Sequence, residues 1–349
     1  MEGMNYHRGI DQIRRKAPIM KIPRRQFLQA TGGALVANAA AIPQQSEAMN
    51  EPEKLPIVDT HQHLWDLSKF KPPWLGGAPK VLSQSYVTKD FLEATAGLNV
   101  VKAVYMEVDV APQDQVREAE HVISLSKSTA HPTVAAVISG RPNSEGFAAY
   151  IRRFKEDPQI KGVRQVLHVD SAPRGLCLEK QFVASIRLLG EMGRSFDLCM
   201  RPTELSDGLK LAQQCPDTRF IVDHCGNADP KAFLTASRRG DEEPWHQADQ
   251  WKRDMDRLAS AKNVVCKISG IVARAPQGWK ADDLAPIIDF CLLQFGPDRV
   301  VFGGDWPVCL LGSSYRGWVE GLKQVISSRK VAEQRKLLHD NAVKLYGLA

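Results

Sequence analysis

No Cys-x-x-Cys pair occurs among the seven cysteines, which lie scattered at Cys177, Cys199, Cys215, Cys225, Cys266, Cys291 and Cys309. Zinc fingers and iron–sulfur sites draw on clustered cysteines, and a disulfide framework on paired spacings, so the scatter excludes all three. Buried free thiols are expected instead. Beyond residue 50 no run of 18 apolar residues occurs, which excludes a spanning helix in the main body. Outside the N-terminal tail there is no basic block interleaved with aromatics. The formal net charge of +6 is modest for 349 residues, so nucleic acid is not an expected partner. A glycine-rich phosphate loop is also missing after the first apolar run. The residues there are His61-Gln62-His63, which argues against an open dinucleotide-binding sheet.

What is present is an ordinary globular composition, 43% hydrophobic and 25% charged, which excludes disorder along the whole chain. The tail, residues 1–50, reads as an address. Arg24-Arg25 precede Phe27 and Leu28, and a weakly apolar, small-residue run follows at 31–41. That order of basic, apolar and small residues is the layout of a secretory signal, and the paired arginines resemble a twin-arginine signal for folded export. A periplasmic or otherwise exported protein is therefore expected, with no stable membrane span once the signal is removed. Met20 stands directly before Lys21-Ile22-Pro23-Arg24-Arg25 and is an expected alternative start. N-terminal sequencing of the precursor would reject it by finding Met1 or Glu2.

From residue 51 onward, short β-branched runs alternate with longer amphipathic stretches. The strands are expected at 57–61, 101–107, 134–139, 160–166, 196–200, 220–224, 264–269 and 300–305. Helices are expected between them at 114–128, 144–156, 178–192, 205–215, 245–261 and 284–295, with further helical segments from Trp318. Eight strand-then-helix units in this length predict one α/β domain, a (β/α)8 TIM barrel over 51–349.

Chemistry in such barrels gathers where strands end, and here those ends are polar. The first ends in His61-Gln62-His63, the second in Glu107, the third at Arg141, and the fourth carries Arg164, with His168 beyond it. The fifth runs into Arg201, the sixth ends in His224, the seventh carries Lys267 and Ser269, and the eighth ends in Asp305. Side chains two apart on a strand share a face, so His61 and His63 can converge on one point in the barrel mouth. A carboxylate closing an apolar strand must be paired or perturbed, and Asp305 is expected as the base that deprotonates an attacking water. His224 would polarise a carbonyl or donate to a developing oxyanion. Arg141, Arg164, Arg201 and Lys267 suit an anionic or polyhydroxylated small molecule, because guanidinium grips carboxylate with two donors. Trp65 and Trp306 complete the expected substrate-binding set.

These residues resemble the amidohydrolase superfamily, and within it the lactonase group that contains fuconolactonase and 2-pyrone-4,6-dicarboxylate lactonase. The matching stretches are residues 58–66, 73–75, 162–164, 196–198, 222–224, 266–270 and 295–308. The resemblance implies a metal-dependent-hydrolase-like barrel and gives catalytic roles to His61, His63, His224 and Asp305. It also implies a group that often works without a tightly held metal. Gln165 departs from the pattern, standing where relatives carry histidine. Two-metal members use a lysine at the end of strand four and a histidine on strand five. Lys161 lies at the beginning of strand four, and strand five ends Cys199-Met200-Arg201, so no binuclear centre is expected. The expected cofactor is none, or one divalent cation, zinc if present, on His61, His63 and Asp305 with Glu107. Lactone hydrolysis is the leading reading. A metal-dependent decarboxylase or hydratase and an inactive ligand-binding barrel are the alternatives, and the sequence leaves the oligomeric state open.

Overall fold

The computed structural model describes residues 54–348. The tail, where the twin-arginine-type signal and the Met20 start are expected, lies outside the described residues. Eight parallel strands follow in chain order: β1 Ile57–Gln62, β2 Val100–Met106, β3 Thr133–Ser139, β4 Ile160–Val166, β5 Ser195–Cys199, β6 Arg219–Val222, β7 Val264–Ile268 and β8 Val300–Phe302. Each pairs with the next. The seam between β8 and β1 closes through a Gln62–Trp306 bridge, with Asp305 N donating to His61 O at 2.8 Å and His63 N to Trp306 O at 2.8 Å. The fold is the expected (β/α)8 barrel.

Two periodicities place the core. Along the helix Ala248–Ser260 the buried apolar residues are Trp251, Met255, Leu258 and Ala259, with Asp254 buried beside them, a 3.6-residue stripe turned onto the strands. Along β2, Val104 and Met106 face the barrel interior while Ala103 and Tyr105 face the helices. The bottom of the interior is apolar, filled by Val58, Val104, Ala135, Val137 and Val301 and plugged by Tyr346 and Leu348. Each large apolar side chain withdrawn from water here contributes about 1.5–3 kcal/mol.

Several strands stop short of their expected ends. β6 ends at Val222 because His224, Cys225, Gly226 and Asn227 take positive φ values of 53°, 52°, 70° and 55°, a left-handed turn that leaves the ladder. β8 ends at Phe302, and Asp305 sits at φ 54° beyond it. Left-handed backbone costs a non-glycine residue about 1–2 kcal/mol, so these turns persist only because neighbours fix them. Trp251 Nε1 holds Cys225 O at 2.8 Å and Asn227 Nδ2 holds Met200 O at 2.9 Å.

One buried acid shapes the edge of the site. Glu118, on the helix Gln115–Ser126, accepts from Tyr105 Oη at 3.0 Å and Val108 N at 2.9 Å. Burial, reinforced by the nearby Glu107 charge, pushes its carboxyl up to about 8. The folded chain therefore keeps a proton that the unfolded chain releases above its ordinary value of 4.5. Stability is lost as pH rises from there toward 8. Glu118→Gln carries no such proton and should gain relative to the native protein across that window. The gain is a few kcal/mol, at about 1.4 kcal/mol per unit. Thermal melts of both proteins at pH 5 and pH 9 test this, and a difference between them that does not change with pH would refute it.

Candidate active site

The closing seam brings the first strand's histidines against the last strand's carboxylate. His63 Nε2 lies 3.4 Å and His61 Nε2 3.6 Å from Asp305 Oδ1, while His224 Nδ1 lies 4.0 Å from Asp305 Oδ2. The His61 ring centroid is 4.9 Å from that of His63 and 4.5 Å from that of His224. Asp59, two residues before His61, is the clamp. Its Oδ1 accepts from His61 N at 2.9 Å and Gly304 N at 2.7 Å, and its Oδ2 accepts from Tyr315 Oη at 3.0 Å. His224 is set by Ser269 Oγ, 3.0 Å from its Nδ1, and by Gly270 beneath it. At φ +68°, a Cβ on Gly270 would stand 2.2 Å from His224 Nδ1, so only glycine fits.

The hydrogen bonds fix two tautomers. His63 Nδ1 lies 3.0 Å from Met106 O, an acceptor only, so Nδ1 carries the proton and a bare Nε2 faces Asp305. Arg164 Nη1 donates to His61 Nε2 at 3.2 Å, which leaves the His61 proton on Nδ1, turned toward Asp223 Oδ1 at 3.5 Å. Burial is the largest influence on His61 and His224, and it lowers both below the ordinary imidazole range. Burial pushes Asp305 toward its protonated form, but the imidazoles packed around it, His224 foremost, favour its charged form more strongly. The carboxyl is held well below the usual range. Two imidazole nitrogens and a carboxylate thus meet at one point.

That donor set fits one divalent cation. Ligand atoms of His61, His224 and Asp305 all lie within 4.8 Å of one another, and Asp223 behind His61 is the kind of partner that orients a metal-binding imidazole. Arg164 Nη1 competes for His61 Nε2, so His63 and Asp305 offer the least encumbered pair. The expected Glu107 ligand is a correction. Its Oε1 accepts from Arg164 Nε at 2.6 Å and its Oε2 from Asp109 N at 2.6 Å, so both oxygens are engaged elsewhere.

Above this floor opens a cavity of about 340 Å³, lined by His63, His224, Asp305, Arg164, Trp65, Trp74, His168 and Arg274 among others. Trp65 and Trp74 meet edge to face at 5.4 Å and make one wall apolar. On the other side, the Arg274 guanidinium lies 4.0 Å over the Trp245 ring, and no described carboxylate pairs with it. Burial, aided by the surrounding cations of which Arg274 acts most strongly, lowers His168 to about 3, so its imidazole is neutral.

Four expected substrate-binding residues lie elsewhere. Lys267 is wholly buried below the cavity, bonded to Asp197 at 2.7 Å and Asp223 at 2.9 Å. Arg141 is held by Asp109 at 2.7 Å and Ser139 at 3.1 Å, behind the cavity wall. Arg201 pairs with Glu204 at 2.6 Å and donates to Ala172 O at 3.0 Å and to Val169 O. Trp306 packs on Tyr86 and Phe91 in the seam. Arg164 and Trp65 do reach the cavity. The sequence reading passed over Asp223, Asp197 and Arg274. The first two had a visible signal, a carboxylate within or directly after an apolar strand, and Arg274, on the short 3₁₀ turn Ile271–Arg274, had none.

Known proteins are similar to this chain in sequence and fold. L-fucono-1,5-lactonase of Burkholderia multivorans is 26% identical over 298 residues, covering 83% of this chain and 96% of its own. The crystal structure of a Burkholderia multivorans amidohydrolase with bound zinc is 24% identical, with a TM-score of 0.72, and is covered to 99% by 84% of this chain. A 5-carboxyvanillate decarboxylase from Novosphingobium aromaticivorans, complexed with manganese and a nitrobenzoic acid, has the same fold at 14% identity. Its TM-score is 0.57, over 84% of this chain and 96% of its own. The amidohydrolase family profile matches residues 58–348, nearly the whole of the described barrel, and the chain belongs to the amidohydrolase family.

Proposed function

We propose that the protein opens a sugar-derived or carboxylated lactone by adding water to its carbonyl carbon. The observation that carries this reading is the convergence of Asp305 Oδ1 with His63 Nε2 and His61 Nε2 on the cavity floor. Asp305 removes a proton from water, and the oxygen bonds to the carbonyl carbon as the C=O electron pair moves onto its oxygen. Arg164 and His224 face that developing charge. The ring C–O bond then breaks, and the leaving oxygen takes the proton back from Asp305. The apolar Trp65–Trp74 wall suits a ring face, and Arg274 suits a carboxylate. A carboxyl held as low as Asp305 is a weak base, and a divalent ion on His61, His63 and Asp305 would supply acidified water and a polarised carbonyl. Export through the tail remains part of the proposal, resting on Arg24-Arg25, and N-terminal sequencing of the mature form would test it.

A panel of aldonolactones and carboxylated lactones, followed by acid release in weak buffer, tests the reading. Carbon dioxide from an aromatic acid with no lactone turnover would instead indicate the decarboxylase. Tight binding without turnover would indicate a ligand-binding barrel. Metal analysis of the purified protein reports on the ion. For a carboxylated lactone, Arg274→Met should raise KM about 10- to 100-fold, the worth of hydrogen bonds to a charged group, with kcat little changed. Neutral lactones should be unaffected. Equal effects on both classes would remove Arg274 from substrate recognition.

A further inference from the structure

Outside the barrel, on the far side of the left-handed turn from the cavity, three thiols meet. Cys225 comes from that turn, Cys266 from β7 and Cys291 from the helix Ala281–Phe295. All three are fully buried, and their sulfurs lie within 4.8 Å of one another. Their surroundings are the apolar layer between strands and helices. Among the described residues no histidine or carboxylate joins the trio. Cys225 Sγ has a weak contact to Lys267 O at 3.8 Å.

We propose that Cys225, Cys266 and Cys291 form a three-sulfur site for a thiophilic divalent cation of the zinc–cadmium–mercury kind, which braces the turn carrying His224. Metal–sulfur bonds of about 2.3 Å in a trigonal plane set sulfurs about 4 Å apart, so the trio needs at most a small contraction. Hard cations are excluded because no carboxylate or water-lined wall offers oxygen. The dry setting disfavours net charge. Two thiols losing their protons to solvent as sulfur–metal bonds form, with the third kept as a thiol, give a neutral centre. The three sulfurs come from three separate elements, so the ion would tie the turn, the strand bearing Lys267 and the helix together. That is a reason for Cys225 to tolerate φ 52°. None of the three sulfurs lines the cavity.

Cadmium, the probe, is added to the full-length protein under a non-thiol reductant, and in parallel during refolding, since the thiols are covered. One equivalent should bind with the ultraviolet absorption of thiolate-to-cadmium charge transfer and should raise the melting temperature. Cys291→Ala should weaken binding about 100-fold or more, beyond the 10- to 100-fold that lost outer partners cost. Cys266→Val serves should Cys291→Ala fail to fold. Cys309→Ala and Asp305→Asn should leave the band intact. Absence of the band by both routes, or its survival in both trio variants, overturns the proposal. Cadmium bound without the band and lost in Asp305→Asn belongs to the cavity, and likewise overturns it.

Discussion

Asp305→Asn should lower kcat/KM for the best lactone by about 10²- to 10⁴-fold, the usual contribution of a positioned general base. Asparagine keeps the shape and one acceptor oxygen, so the seam bond from Asp305 N to His61 O is untouched and the fold should persist. The amide cannot take a proton from water, so the loss should fall on kcat, with KM changed much less. The variant also replaces a charge that faces three imidazoles. A fall in melting temperature at neutral pH is expected as well, because the groups around Asp305 favour its carboxylate over a neutral side chain. Initial rates of acid release and a thermal melt separate these effects. Retention of more than a tenth of the native rate would place the base elsewhere and remove the central step of the proposed reaction.

The barrel was legible because burial imposes periodicity. Each strand buried on both faces reads as a short β-branched run, and eight such runs with amphipathic stretches between them leave few alternatives. His61, His63, His224 and Asp305 were legible for a related reason, since a strand end marks the catalytic rim. Direction was not legible. Lys267 and Arg164 both sit on strands, yet Lys267 points into a dry layer between Asp197 and Asp223 while Arg164 reaches the cavity. Arg141 and Arg201 stand at strand ends but turn back to Asp109 and Glu204, partners that only the folded loops bring near. Arg274 reaches the cavity from a single 3₁₀ turn, Ile271–Arg274, too short to show a periodicity. The left-handed turn at His224–Asn227 depends on Trp251 and Met200, about 25 residues to either side, and no local pattern encodes that.

Lys267→Met should destabilise the protein by about 3–5 kcal/mol at neutral pH, because removing one partner leaves the opposing buried charges uncompensated. For a domain of this size that is a fall of roughly 5–10 °C in melting temperature. Methionine fills nearly the same volume, so the cost should come from Asp197 and Asp223 rather than from a void. In the native protein burial opposes the charge on Lys267, but Asp197 and Asp223 outweigh it and hold the ammonium above its ordinary range. Burial likewise opposes the Asp223 carboxylate, but Lys267 and His61 hold it below the ordinary 3.8, so its contribution is present above that value and lost as pH falls. Asp197, raised by burial to about 7 even with Lys267 beside it, has less to lose. Without the ammonium both acids should bind protons more readily in the folded than in the unfolded chain. The deficit should therefore be greatest near pH 8 and shrink toward pH 5. Adding Asp197→Leu to Lys267→Met should recover part of the loss, whereas two unrelated sites would simply add. Turnover should fall as well, since Asp223 is what His61 Nδ1 faces at 3.5 Å. A deficit that is the same at pH 5 and pH 8 would mean that the side chain acts by packing, and that the charged layer beneath the cavity does not set the state of His61.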